Sequence, residues 1–452
     1  MSENWYQAID AYQELNAVMQ VLSDGVSHIS GRAGSSTAMV MGAIARMNTQ
    51  PRLLVTAHLD QADETMEELQ AQGVDVLRFP ALETLPGETA VRSDLLAERL
   101  RVLQVIGDPS PSLIVAPIAA IMQPVPSPSE LGDMLRTIRP GDQLDRAALL
   151  QWMDQASWAR AATVERSGEY AVRGDVLDIF PEVGEPVRVD LFGDQVESLH
   201  GIDLDTMGSA QKLERLDLVA GAASLAPECQ NDEHGPPILP ELLDERWEAV
   251  LDDAAEIREQ ARAYSDRIAG GGWIAELETV QAALADRCRG VCLLGAAEQA
   301  DMHLPIVMLP AFPDQATDAM DDLRSRSLES RVIVVCQQQG DVDRLRELLG
   351  KQLPTLEIAS GYLHRGFVWH GDDQPIQFVP YHEIVHRYHV RRKRHGENAR
   401  RQLDAFVEIA PGDFVVHRDH GIASFLGMQV QPRRAGQDDA IEEFLVLEFA
   451  AG

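Results

Sequence analysis

The sequence predicts a multidomain α/β fold. A sheet domain with a degenerate phosphate-binding loop is accompanied by a small mixed α/β (β-rich) domain; a further α/β domain and an incomplete small β-barrel follow. Three observations predict this. Apolar runs of strand length alternate with helical segments from Val26 to Ala116, and again from residue 316. Residues 163–207 read instead as short strands joined by turns. From Phe406 onward the chain again alternates as strands do. At 452 residues it is also too long for one core, and about three domains are expected.

Taken in order, residues 1–22 place Ile9, Tyr12, Leu15, Val18, Met19 and Leu22 at helical spacing. Val26–Ser30 is a strand, GRAGSSTA at 31–38 a small-residue loop, and about Ala38–Met47 a helix. That is the context of a phosphate-binding loop. The chemistry is missing, however. Aligned on Gly31, Ser36 stands where the second glycine of such a loop should be. Thr37 stands at the lysine that neutralises the phosphates, and Ala38 at the magnesium-ligating hydroxyl. Gly34 is the remaining glycine, and Arg32 is a substitute charge at the wrong end. The loop is therefore read as inactive.

Arg52–Ala57, Val74–Phe79 and Ser112–Ala116 are buried strands, with helices at Gln61–Gln72 and Arg92–Val105. QPVPSPSE at 123–130 reads as a linker. A helix at Asp145–Gln155 leads into a hairpin from Val164–Arg166 through Ser167-Gly168 to Glu169–Arg173. Val176–Phe180 is buried. Val187–Phe192 alternates, so Val187, Val189 and Leu191 should face a core, with Arg188, Asp190 and Phe192 on the opposite face. An aromatic beside an arginine on an outer strand face has the composition of an interface hot spot. The competing reading is an edge where a loop of the same chain covers Phe192.

Glu241–Arg262 reads as a long charged helix, with short apolar runs at Val291–Leu294 and Ile306–Leu309. Arg331–Cys336 and Leu356–Ala359 are strands flanking a helix at Gly340–Leu349. The basic run at 389–402 (Arg391, Arg392, Lys393, Arg394, Arg400, Arg401) is a linker or a contact for nucleic-acid phosphates. The resulting segments are 1–123, the small domain at 124–207, a helix-and-strand stretch at 208–315 and the next α/β unit at 316–390. A linker at 391–403 precedes the last domain at 404–452.

The net charge of −33 argues against tight DNA binding by the whole surface and favours protein partners. Cys229, Cys288, Cys292 and Cys336 are scattered. Cys288 and Cys292 make at most half a metal site, so no metal is expected. There is no basic, apolar leader at the N-terminus and no run long enough to span a bilayer, which implies a cytoplasmic protein without membrane partners.

GEYAVRGDVLDIFP followed by VRVDLFGDQVESL resembles the small domain shared by UvrB and the transcription-repair coupling factors (Mfd), the docking surface for the excision-repair protein UvrA. The resemblance implies UvrA contacts at Arg173, Arg188 and Phe192. It also implies that 1–123 and 208–315 are the two parts of one UvrB-like sheet domain, into which 124–207 is inserted. UvrB keeps an intact phosphate loop and the coupling factors a decayed one, so this chain sides with the latter. Glu83–Pro86 resembles the family's E-T-L-P segment, with Leu82 where an aromatic is usual. Gly361, Leu363, Gly366 and Phe367 resemble its third domain.

The last segment resembles the CarD-like RNA-polymerase-interaction domain. Gly412, Asp413, Val415, Val416, His417, His420, Gly421 and Ile422 match its motif, and Ala423 and Ser424 depart from it. The family would add further strands and an ATP-driven DNA translocase, so the chain reads as its N-terminal part. The resemblance implies a non-catalytic adaptor between UvrA and the β subunit of RNA polymerase stalled at DNA lesions. In the intact protein, ATP and magnesium would serve only a translocase/helicase lying downstream, which would also make most DNA contacts. Two other functions stay open: a divergent UvrB-like, ATP-dependent damage factor, and a stand-alone polymerase-binding regulator.

Overall fold

The computed structural model describes residues 4–10, 12–82, 93–106, 113–156, 158–181, 184–204, 208–220, 236–268, 274–295, 300–350, 353–371, 374–386, 414–417, 421–432 and 441–449. The chain divides into two compact units, residues 1–387 and 388–452. The first contains mixed α/β architecture with parallel, antiparallel and mixed sheets.

Its centre is a seven-stranded parallel sheet. In spatial order the strands are Met302–His303, Gly25–Ser30, Gly290–Leu294, Glu248–Asp252, Arg52–Thr56, Leu113–Pro117 and Val76–Arg78. The central strands are buried at every position, as befits a sheet covered on both faces. Strands from before and after residues 135–219 join this one sheet, so that stretch is an excursion from it. The N-terminal segment is two pieces: a 3₁₀ turn at Trp5–Ile9 and a helix at Gln13–Leu22.

The excursion is a six-stranded sheet in the order Ser209–Leu213, Gln195–Ile202, Val187–Phe192, Val176–Phe180, Glu169–Arg173 and Ala159–Arg160. Its pairings are antiparallel except the last, where Ala159–Arg160 runs parallel to Glu169–Tyr170. The sheet thus continues past residue 207; the polar SAQKL strand has no apolar alternation to announce it. A two-stranded ribbon, Leu135–Ile138 with Leu216–Val219, ties the excursion's ends together. Helix Arg146–Gln155 starts at Asp145, whose carboxylate accepts from the Ala148 amide at 3.0 Å. Leu149, Met153, Tyr170, Leu177, Val189 and Leu199 belong to the same buried cluster as one face of the large sheet.

A five-stranded mixed sheet follows in the order Ile306–Met308, Phe367–Trp369, Ile376–Pro380, Arg331–Cys336 and Leu356–Ser360. Ile306–Met308 lies here, antiparallel to Phe367–Trp369, and not beside the first sheet domain's strands. Trp369, Phe367, Phe378 and Ile333 share a core with Trp5, Leu15, Val40 and Leu54, so this sheet and the seven-stranded sheet are packed as one body.

Three sequence expectations are corrected. Glu241–Arg262 is not one helix: a 3₁₀ turn at Leu239–Leu242 is followed by the strand Glu248–Asp252 and a helix at Ala254–Ile268. Charge misled the reading. Glu248 is buried because it pairs with buried Arg52 at 2.8 Å, and Asp252 because it pairs with Arg32. Residues 164–166 form no hairpin strand; Val164 instead plugs a small cluster with Ala171 and Ile202. The 123–130 stretch is not a free linker. Gln123 and Val125 are buried, and Ser127 with Glu130 forms a capping box on the helix Pro128–Met134.

Among the described residues the second unit forms a three-stranded antiparallel sheet: Phe414–His417, Gly421–Pro432 and Ile441–Phe449. Among the described residues no helix is long and apolar enough to cross a membrane. Glu83–Pro86, Cys229, the basic run at 389–402, Gly412, Asp413 and His420 lie outside the described residues.

Candidate functional site

The first candidate is the outer face of the six-stranded sheet. The pleat buries Val187, Val189 and Leu191 and turns Arg188, Asp190 and Phe192 outward. Phe192 sits at the strand's end, beside the Gly193-Asp194 turn, with 79% of its surface exposed. No loop of the described chain covers it. Val164 instead packs on the face further along, against Ala171 and Phe180.

Arg188 lies directly opposite Asp178 on the neighbouring strand and forks onto it, Nε–Oδ1 at 2.7 Å and Nη2–Oδ2 at 2.9 Å. The Asp178 side chain is 1% exposed and that of Arg188 19%. That hydrogen bonding, with the Asp178 and Asp190 charges, raises the guanidinium further above its ordinary value. On the strand's other side stand His200 and Ser198, both against Asp190: Nδ1–Oδ2 at 3.4 Å, and the hydroxyl donating at 2.9 Å. Arg173 is exposed; its Nη2 donates to the Ala162 carbonyl at 2.9 Å and to Thr163 Oγ1 at 2.6 Å. Register places Arg173 opposite Val176, which is opposite Asp190, so the three expected contact residues share one face. Sequence reasoning missed Asp178. Its signal was a lone acid inside an apolar strand, which must have a partner.

The second candidate is the loop at 31–38. Helix Ser36–Met47 follows strand Gly25–Ser30 through Gly31 and Gly34, at φ 84° and 50°. Both glycines are required by close approach as well: a Cβ on Gly31 would meet the Leu304 carbonyl oxygen at 2.1 Å, and one on Gly34 that of Gly366 at 2.4 Å. The Ser35 amide donates to the Arg365 carbonyl at 3.1 Å, and the Arg365 amide returns to Ser35 Oγ at 2.8 Å. Arg32 is paired with Asp252 at 2.8 Å and Asp253 at 2.9 Å. Thr37 Oγ1 donates to Asp252 at 2.9 Å. Burial pushes the Asp252 carboxyl up, against the pull of Arg32 and Thr37. The cavity beneath, between Gly31, Thr37, Val250 and Leu304, is about 20 Å³ and largely apolar. Ligand pockets are roughly 300–1,000 Å³. Ser36 and Ala38 are buried in the helix's first turn.

In the second unit, Val415, Val416 and His417 lie on strand Phe414–His417, with His417 opposite Gly421 and Val416 opposite Ile422. Of the cysteines, Cys288, Cys292 and Cys336 are buried, and burial pushes each thiol up to about 12. They are un-ionised at neutral pH. No group of three or more His, Cys, Asp or Glu that could hold a metal occurs among the described residues.

Residues 137–223 match the UvrB interaction domain family, the stretch that forms the six-stranded sheet. Residues 409–452 match the CarD-like/TRCF RID domain family. A protein of Staphylococcus aureus (strain bovine RF122 / ET3-1) named transcription-repair-coupling factor is 26% identical over 215 residues, 47% of this chain and 18% of the relative. One of the same name from Bacillus subtilis (strain 168) is 27% identical over 222 residues, 48% of this chain and 19% of the relative. The chain is thus similar to transcription-repair-coupling factors. The chain matches less than a fifth of these coupling factors' own length. Its two family matches pair a UvrB interaction domain with a CarD-like/TRCF RID domain in a single chain.

Proposed function

We propose that this chain is a protein–protein adaptor that recruits UvrA to RNA polymerase stalled at DNA lesions, in transcription-coupled excision repair in the cytoplasm. The observation that carries the reading is Phe192, standing almost fully exposed on a rigid strand beside the Arg188–Asp178 fork. An exposed aromatic beside an arginine has the composition of an interface anchor, and aromatic and arginine anchors dominate interfaces. Phe192 would enter an apolar pocket on UvrA. Arg188, held in place by Asp178, and Arg173 would face acceptor groups around it. The C-terminal unit would bind the polymerase β subunit through Gly412–Ile422.

The segment hydrolyses no nucleotide and needs no cofactor; ATP and magnesium belong to a translocase elsewhere in a longer protein, which would also make the principal DNA contacts. Supporting this, the 31–38 loop has no lysine, and its Ser35 amide, Arg32 and Thr37 all have partners within the chain. The nucleotide-driven alternative has those contacts against it.

The test is a titration of the 452-residue chain with purified UvrA, beside Phe192→Ala, Arg173→Ala and Arg188→Lys. Truncating an interface anchor costs about 2 kcal/mol or more, some thirtyfold in affinity. Phe192→Ala should show that loss with unchanged thermal stability. Undiminished binding in all three variants would end the docking proposal.

A further inference from the structure

Where the five-stranded sheet meets the seven-stranded one, the backbone of His364-Arg365-Gly366 is clasped amide by amide. The His364 N–H donates to Glu68 Oε1 at 2.7 Å, the Arg365 N–H to Ser35 Oγ at 2.8 Å and the Gly366 N–H to Glu383 Oε1 at 3.0 Å. Ser35 in turn hydrogen-bonds Glu68. The His382 Nε2–H donates to the His364 carbonyl at 2.9 Å, and His364 Nε2 meets Glu64 at 3.0 Å. Glu68 lies on helix Leu59–Ala71 with only 3% of its surface exposed, and no arginine or lysine is among the groups acting on it. The groups facing it are Ser35, His364 and a second carboxylate, Glu64. Such a carboxyl is costly to ionise in place.

We propose that this junction is a proton-sensitive latch: protonated Glu68 holds the 364–366 segment against the 31–37 loop, and ionised Glu68 loosens it. The inference is independent of the docking reading. The neighbouring groups act in the same sense. Burial raises Glu68 to about 7. It also raises Glu383, whose other neighbours are Arg365, His364 and Arg326. Burial pulls His364 down, but its hydrogen bond to Glu64 and the Glu64 charge carry it above its ordinary value. Each of these raised groups stabilises the closed junction at low pH and loses that contribution as pH rises through its folded value. For Glu68 the window runs from about 4.5 to about 7.

The experiment is hydrogen exchange by mass spectrometry on the full chain at pH 6 and pH 8, corrected for intrinsic rates, reading peptides over 361–369. Opening of the junction should rise about tenfold between these pH values from Glu68 alone. Peptides over Arg331–Cys336 should not change. Glu68→Gln should remove most of the rise; should it fail to fold, Glu68→Met serves, being uncharged and of similar length. A flat wild-type profile, a rise shared by the core strand, or an undiminished rise in the variant that folds would each overturn the latch.

Discussion

Arg188→Ala tests how the docking face is built. Arg188 makes two charge-assisted bonds, at 2.7 and 2.9 Å, to a carboxylate that is 1% exposed. Deleting the guanidinium leaves Asp178 buried and uncompensated, which costs about 3–5 kcal/mol in interiors. Arg188 itself is 19% exposed, so water can reach part of the vacated space. The lower end, about 3 kcal/mol, is therefore the expected loss. That corresponds to roughly a hundredfold increase in the opening of this sheet. Hydrogen exchange at pH 7 over Val176–Phe180 and Val187–Phe192 reads it directly. Arg188→Met combined with Asp178→Leu should recover most of the stability, because an apolar pair leaves no buried charge. A single-variant loss under about 0.5 kcal/mol, the range of ordinary surface substitutions, would refute the argument. It follows that lost UvrA binding in Arg188→Ala would not by itself locate the interface, whereas Phe192→Ala separates binding from folding.

Other outcomes follow from the same contacts. Phe192→Ala should shift the thermal midpoint by no more than a surface substitution does, within about 0.5 kcal/mol, while losing UvrA affinity in the titration above. Gly34→Ala forces a Cβ into left-handed backbone and against the Gly366 carbonyl. It should cost about 3 kcal/mol in denaturant unfolding and deprotect the 364–366 amides. Glu248→Ala strands Arg52, whose guanidinium burial already lowers its pKa, and should cost about 3–5 kcal/mol in the same assay. Thr37→Lys should not confer magnesium-ATP binding by calorimetry, because Ser35 and Arg32 stay engaged with Arg365, Asp252 and Asp253; measurable binding would count against that account.

The candidate face was legible because strand alternation is a local property: VRVDLF allows only one division into buried and outward residues. The long helix misread over Glu241–Arg262 shows the converse. EAVLD carries acids at both ends, and only partners distant in sequence, Arg52 and Arg32, make it a buried strand. The capping box at Ser127 was readable and was overlooked among the prolines.

By itself, then, the sequence determined the alternation of elements, the outward placement of Arg188 and Phe192, and the absence of a lysine from the 31–38 loop. Tertiary structure alone decided that Arg188 is anchored by Asp178, that Ile306–Met308 joins the five-stranded sheet, and that the loop grips residues 364–366. The physical reason is range. Periodicity and residue chemistry are written into neighbours along the chain. The partner that neutralises a buried charge or fills an emptied loop lies up to hundreds of residues away and is found only by folding.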